Sequence, residues 1–154
     1  LWRRHRRNPE TPLPTHVSGG VIRFFQIFLC AMYSGAGIAK LRGDWLGGNV
    51  LWSHLHDNYQ TEISWLLVRT VPGWGWQALQ YLSLVFGTAA PLWFSLPWTR
   101  RYAVIAGLGM HALIGLMFGP GIWFALLMST LLCASYLPER WLLRLFRRPT
   151  AAAA

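Results

Sequence analysis

The sequence predicts an all-α, polytopic membrane protein: four transmembrane helices with amphipathic segments at the interface. Three observations carry that prediction. Hydrophobic residues make up 54% of the 154 and charged residues only 12%, about half the usual globular share of roughly 25%, so too few charges exist to coat a water-facing surface. No Asp, Glu, Lys or Arg occurs in 24–39, 70–99 or 102–138. The net charge is +9, and the arginines cluster at the ends of those runs. This composition excludes a disordered chain, which needs low hydrophobicity. Arginines flanking apolar runs point to a lipid bilayer as partner and not to nucleic acid.

The elements follow in order. Residues 1–20 form a basic N-terminal segment, rich in Arg and Pro and without the apolar stretch of a signal peptide. The first span is expected over 21–40. The loop 45–75 is too apolar for a plain turn; Trp45, Trp52 and Trp65 suit short helices on the outer interface. The second span is expected over 76–97. In it Pro91 removes a backbone donor and kinks the helix, leaving a carbonyl near Gly87 for the Thr88 hydroxyl. The last charge-free run exceeds one span of about 20 residues. Gly119-Pro120-Gly121 divides it into spans at 101–118 and 122–137, a tight hairpin that completes a transmembrane domain over 21–138. Beyond it, Arg140, Arg144 and Arg147 recur at helical spacing, which predicts a basic interfacial helix over 139–150. Residues 151–154 are an alanine tail.

Four spans put the arginines on one side. Arg3, Arg4, Arg6, Arg7 and Arg23, then Arg100 and Arg101, then Arg140, Arg144, Arg147 and Arg148 share it. The other side holds Lys40, Arg42 and Arg69, balanced by Asp44, Asp57 and Glu62. The positive-inside rule makes both termini cytoplasmic and places loop 45–75 outside.

Few residues in the spans carry chemistry. Tyr33, Gly37, Lys40 and Asp44 recur at i, i+4, i+7 and i+11, one helical face. Ala31, Gly35 and Ala39 make a second stripe, of the small-residue kind that lets helices approach closely in lipid. Lys40 has two readings. It snorkels to the outer interface, or it lines a polar cavity as a base. His111 is the one ionisable residue near the centre of the third span, with Gly107 and Gly115 four residues to either side. It is a packed, hydrogen-bonded histidine, a proton relay, a ligand to a pigment metal, or a donor to a quinone-like ring. Cys30 and Cys133 lie in apolar stretches and read as packing residues. His54 and His56, two apart, would diverge on a helix, and no metal site is expected.

The motif Tyr33-x-x-Ala36-Gly37-x-x-Lys40-Leu41, followed by Asp44-Trp45-x-x-Gly48, resembles the horizontally transferred transmembrane (HTTM) domain family, which includes the vitamin K-dependent gamma-carboxylases. Gly109-Met110-His111-Ala112-Leu113-Ile114-Gly115-Leu116 and Leu137-Pro138-Glu139-Arg140-Trp141 look like the later part of that domain. The resemblance covers roughly 33–141. It implies that Lys40 matches the lysine that acts as base on reduced vitamin K in the carboxylases, and hence a quinone or quinol as cofactor. Tyr33, Gly37 and His111 are the candidate residues to bind such a ring, and His111 is a candidate catalytic residue beside Lys40. The resemblance also implies an active side facing the lumen, in keeping with the orientation from the arginines. Further helices usually precede the motif in that family, the carboxylases carry a large extramembrane domain after the bundle, and relatives often have an acidic residue near Thr88. The expected function is therefore a non-catalytic accessory subunit of a larger membrane complex, with lipid, quinone or pigment contacts. The alternative is a quinone-dependent, carboxylase-like enzyme with Lys40 as base.

Overall fold

The computed structural model describes residues 19–55 and 61–137; the N-terminal segment, His56, the 139–150 helix and the alanine tail lie outside them. The described residues are all-helical: α1 (Gly19–Leu41), a 3-10 turn (Asp44–Gly47), α2 (Val50–His54), α3 (Glu62–Thr70), α4 (Gly73–Thr88), α5 (Ala90–Ser95), α6 (Pro97–Met117) and α7 (Gly121–Tyr136). Of these, α1 is the one described helix both long and apolar enough to cross a membrane, and α7 is a shorter apolar helix.

Four long helices pack as a bundle, with α6 against α7 and α1 against α4 as the main pairings. The hairpin between α6 and α7 turns where the sequence predicts, closed by Gly121 N–H to Phe118 O (2.8 Å). The core between the helices is Leu29, Tyr33, Phe94, Val104, Met128 and Leu132. Large side chains stay exposed on the outer faces: Ile27 on α1, Leu82 on α4, Ile105 on α6 and Leu127 on α7 are each more than half exposed. Such a belt is costly in water and costless in lipid.

The expected second span is two helices. A break at Ala89 divides α4 from α5, with Pro91 in the first turn of α5, where a missing N–H costs nothing. The Thr88 hydroxyl donates back to Leu84 O (2.9 Å) and Val85 O (3.3 Å) and not to Gly87, so it secures the end of α4 instead of bridging a kink. The expected third span is α6, which begins at Pro97, four residues early, because Pro97 suits its first position. Arg100 and Arg101 thus lie within its first five residues.

Loop 45–75 does fold into short helices. A second core, Leu55, Trp76 and Met117 with Leu67 and Val68 beside it, seats them on the ends of α4 and α6. Thr61 caps α3 reciprocally with Ser64, and its hydroxyl donates to Leu116 O at 2.6 Å, fastening α3 to α6.

Candidate functional site

Lys40 closes the last turn of α1, where a cation complements the helix dipole. It is half-buried. Its Nζ donates to Ser83 Oγ on α4 (3.3 Å) and lies 4.6 Å from the centre of the Trp45 ring, within cation–π range. Ser83 in turn donates to Gln80 O (2.9 Å).

Gln80, fully buried, fixes what lies above the lysine. Its amide donates to Trp45 O and accepts from Leu51 N–H (2.9 Å). Its backbone carbonyl accepts from Trp45 Nε1 (3.1 Å). One side chain thus pins the 3-10 turn and α2 onto α4 and sets the Trp45 ring over Lys40. Asp44 is exposed at the start of that turn.

Tyr33 and His111 form a second site. Tyr33 Oη and His111 Nε2 are 2.6 Å apart across α1 and α6, both rings at least 95% buried. Phe86 meets Tyr33 edge-on at 5.3 Å and Phe94 stacks on it at 5.8 Å. Gly107 supplies the room: a Cβ there would lie 3.6 Å from Tyr33 Oη and 3.0 Å from Leu132. His111 Nδ1 has no partner among the described residues. Loss of the tyrosine hydroxyl would leave the buried ring wholly unpaired, so Tyr33→Phe is expected to cost about 1–3 kcal/mol. The double variant Tyr33→Phe, His111→Leu should recover most of it, because removing both partners removes the unmet demand. Thermal unfolding in detergent measures both; equal stability of Tyr33→Phe and wild type would refute the pairing.

The expected face of α1 is therefore split by role. Tyr33 and Lys40 stand seven residues apart, about 10 Å along the axis, and bond different helices. Gly37 lies between them at the crossing of α1 and α4, where a Cβ would come within 2.4 Å of Thr88 N. The other small stripe, Ala31, Gly35 and Ala39, faces outward.

An apolar groove of about 440 Å³ opens sideways between α4 and α6, lined by residues that include Leu79, Leu82, Trp93, Met110 and Leu113. Ser83 supplies the one hydroxyl among its lining residues, and Phe86 belongs to its wall. The groove thus touches both sites: Lys40 through Ser83, and Tyr33 through Phe86. The sequence reading missed Ser83 and Gln80. Their signal was available, since two polar residues three apart in a charge-free run share a helix face, but their partners come from distant segments.

The described residues thus form an all-α bundle with a mostly apolar groove whose one hydroxyl, Ser83, accepts from the Lys40 amine. The HTTM domain pattern matches residues 4–137, and the chain belongs to that family. No curated protein and no solved structure matches it.

Proposed function

We propose that this chain is a membrane-embedded accessory subunit that holds a quinone-class ring in the groove between α4 and α6, as part of a larger membrane complex. The carrying observation is the hydrogen bond from Lys40 to Ser83, the hydroxyl of an otherwise apolar groove. That donor set fits an amphipathic ring with one polar edge: Ser83 and Lys40 would hold a ring oxygen, and the apolar walls would take the ring and its tail. A bound quinone supplies reversible redox chemistry. The chain's own residues bind and orient it, and Phe86 keeps it apart from Tyr33.

Four spans, formed by α1, the α4–α5 pair, α6 and α7, are part of this reading, with both termini cytoplasmic and loop 45–75 outside. The belt of exposed apolar side chains on all four long helices supports it, and so does the arginine distribution. The outward stripe of Ala31, Gly35 and Ala39 supports contact with a further membrane subunit, because small residues admit a close helix neighbour.

The test is the small molecule that copurifies in mild detergent, identified by mass spectrometry. Wild type is expected to retain a ring compound. Leu113→Trp, which fills the groove, and Lys40→Met, which removes the donor, should retain about tenfold less. Equal retention by all three would contradict the site.

A second reading has one observation in its favour: Lys40, the residue that matches the carboxylase lysine, donates to Ser83 on the groove's lining. If the chain is a quinol-dependent enzyme, Lys40→Ala abolishes turnover and leaves the helical spectrum unchanged. Unaltered turnover in Lys40→Ala would exclude lysine chemistry.

A further inference from the structure

A second cavity, independent of the groove, lies at the arginine-rich end of the bundle. It measures about 280 Å³ and lies between the first half of α1, α5, the first turn of α6 and the last turn of α7. Gln26, Cys30, Ser95, Arg100 and Tyr136 are its polar lining residues, and no carboxylate is among the described residues of the lining. Arg100 is half-buried and its fork is preset: Nε donates to Phe94 O (3.0 Å) and one Nη to Ser95 O (3.2 Å). A guanidinium has five N–H donors, so three remain, with no protein acceptor among the described residues. The neighbouring Tyr136 ring is held by stacking on Phe94 at 4.9 Å. Gln26 is held by its own bond to Ser135 O (2.8 Å). Both side chains are thus oriented by protein contacts before any ligand arrives.

An oriented guanidinium with unused donors, beside a serine and a tyrosine hydroxyl, is built for an oxyanion. The volume falls just short of the roughly 300–1,000 Å³ of drug-sized sites, which suits a headgroup and excludes a whole lipid. Ile27, on the lining, is 70% exposed, so the cavity borders the apolar belt where acyl chains would run. We propose that this cavity binds a phosphate-bearing anion through Arg100, Ser95 and Tyr136, the phosphodiester headgroup of an anionic phospholipid. It is a fixed lipid site and not a diffuse basic surface.

The experiment compares lipids retained by the full chain after reconstitution in phosphatidylcholine nanodiscs with and without phosphatidylglycerol, read by native mass spectrometry. Wild type should retain phosphatidylglycerol. Arg100→Gln should retain about tenfold less, the order expected for losing a charge-assisted contact. Because Arg100 also secures the end of α5, Ile27→Trp supplies a second test: it fills the cavity from the exposed side and leaves the guanidinium in place, and it should lose the lipid as well. Arg101→Gln removes the same charge from an exposed neighbour and should retain it. Equal loss in Arg100→Gln and Arg101→Gln would overturn the proposal, as would equal retention of phosphatidylcholine. Inorganic phosphate that displaces the lipid would support the same oxyanion site with a free anion as a second source. Lipid that stays bound in excess phosphate would support the headgroup as its occupant.

Discussion

Gly37→Val is expected to separate α1 from α4 and to lose most of the protein's cooperative unfolding. Even an alanine Cβ at Gly37 would lie 2.4 Å from Thr88 N and 2.7 Å from Gly87 C. Those are backbone atoms, which have no rotamer to escape into. The partner glycine is equally confined: a Cβ at Gly87 would lie 3.1 Å from Gly37 Cα. The helices must therefore part, and overpacking of about 1–3 kcal/mol is the least that this forces. Parting them also draws Lys40 from Ser83, less than a turn beyond Gly37. Gly35→Ala is the matched control, because nothing lies within 4 Å of its added Cβ. Thermal unfolding in detergent should show a large drop for Gly37→Val, a smaller one for Gly37→Ala and none for Gly35→Ala. Equal stability across the series would refute the close crossing.

Gln80→Leu should release the outer turn from the bundle. The substitution keeps the bulk and removes the partners of Leu51 N–H and Trp45 O. Each group left unpaired in a buried setting costs about 1–3 kcal/mol, so the two together set a loss of several kcal/mol unless the segment lifts into water. Lifting is the expected response. Amide hydrogen exchange across 45–55 should accelerate, and the Trp45 ring should leave Lys40. Gln80→Glu keeps the acceptor for Leu51 N–H but turns a carboxylate oxygen toward Trp45 O, so its exchange should also accelerate. Unchanged exchange in Gln80→Leu would remove Gln80 from this role.

Much of the fold was legible because lipid imposes simple demands. Runs without charge mark the helices, and Gly119-Pro120-Gly121 leaves no alternative to a turn. The periodic face of Tyr33, Gly37 and Lys40 was legible for the same reason, and Tyr33 and Gly37 are its most buried members. What could not be read was pairing between segments. The small-residue stripe of Ala31, Gly35 and Ala39 looks better suited to a close crossing than the face of Tyr33 and Lys40, and only packing decides that Gly37 makes it while Gly35 faces outward. Pro91 announces a disturbance but not its place; the break falls at Ala89, two residues before it. Ser83 and Gln80 were passed over because a polar residue in an apolar run says nothing of its partner. Theirs are the end of α1 and a loop more than 25 residues away in sequence.

The site was legible in its members and not in its grouping. Tyr33, Lys40 and His111 all stood out as polar residues in apolar helices. Grouped by face, Tyr33 and Lys40 would share one function. Tyr33 instead pairs with His111 in the core, and Lys40 pairs with Ser83 at the groove. Both belong to one face of α1, but the Tyr33 hydroxyl reaches His111 on α6 and the Lys40 amine reaches Ser83 on α4.

The central claim is that the groove beside Lys40 and Ser83 holds a quinone-class ring within a larger membrane assembly. The most direct measurement is native mass spectrometry of the protein extracted from its own membrane in mild detergent, with bound small molecules identified. A fixed-stoichiometry assembly in which this chain carries one ring compound is expected, with loss of that compound in Lys40→Met. A lone chain with no bound ring compound, in wild type as in the variant, would contradict it.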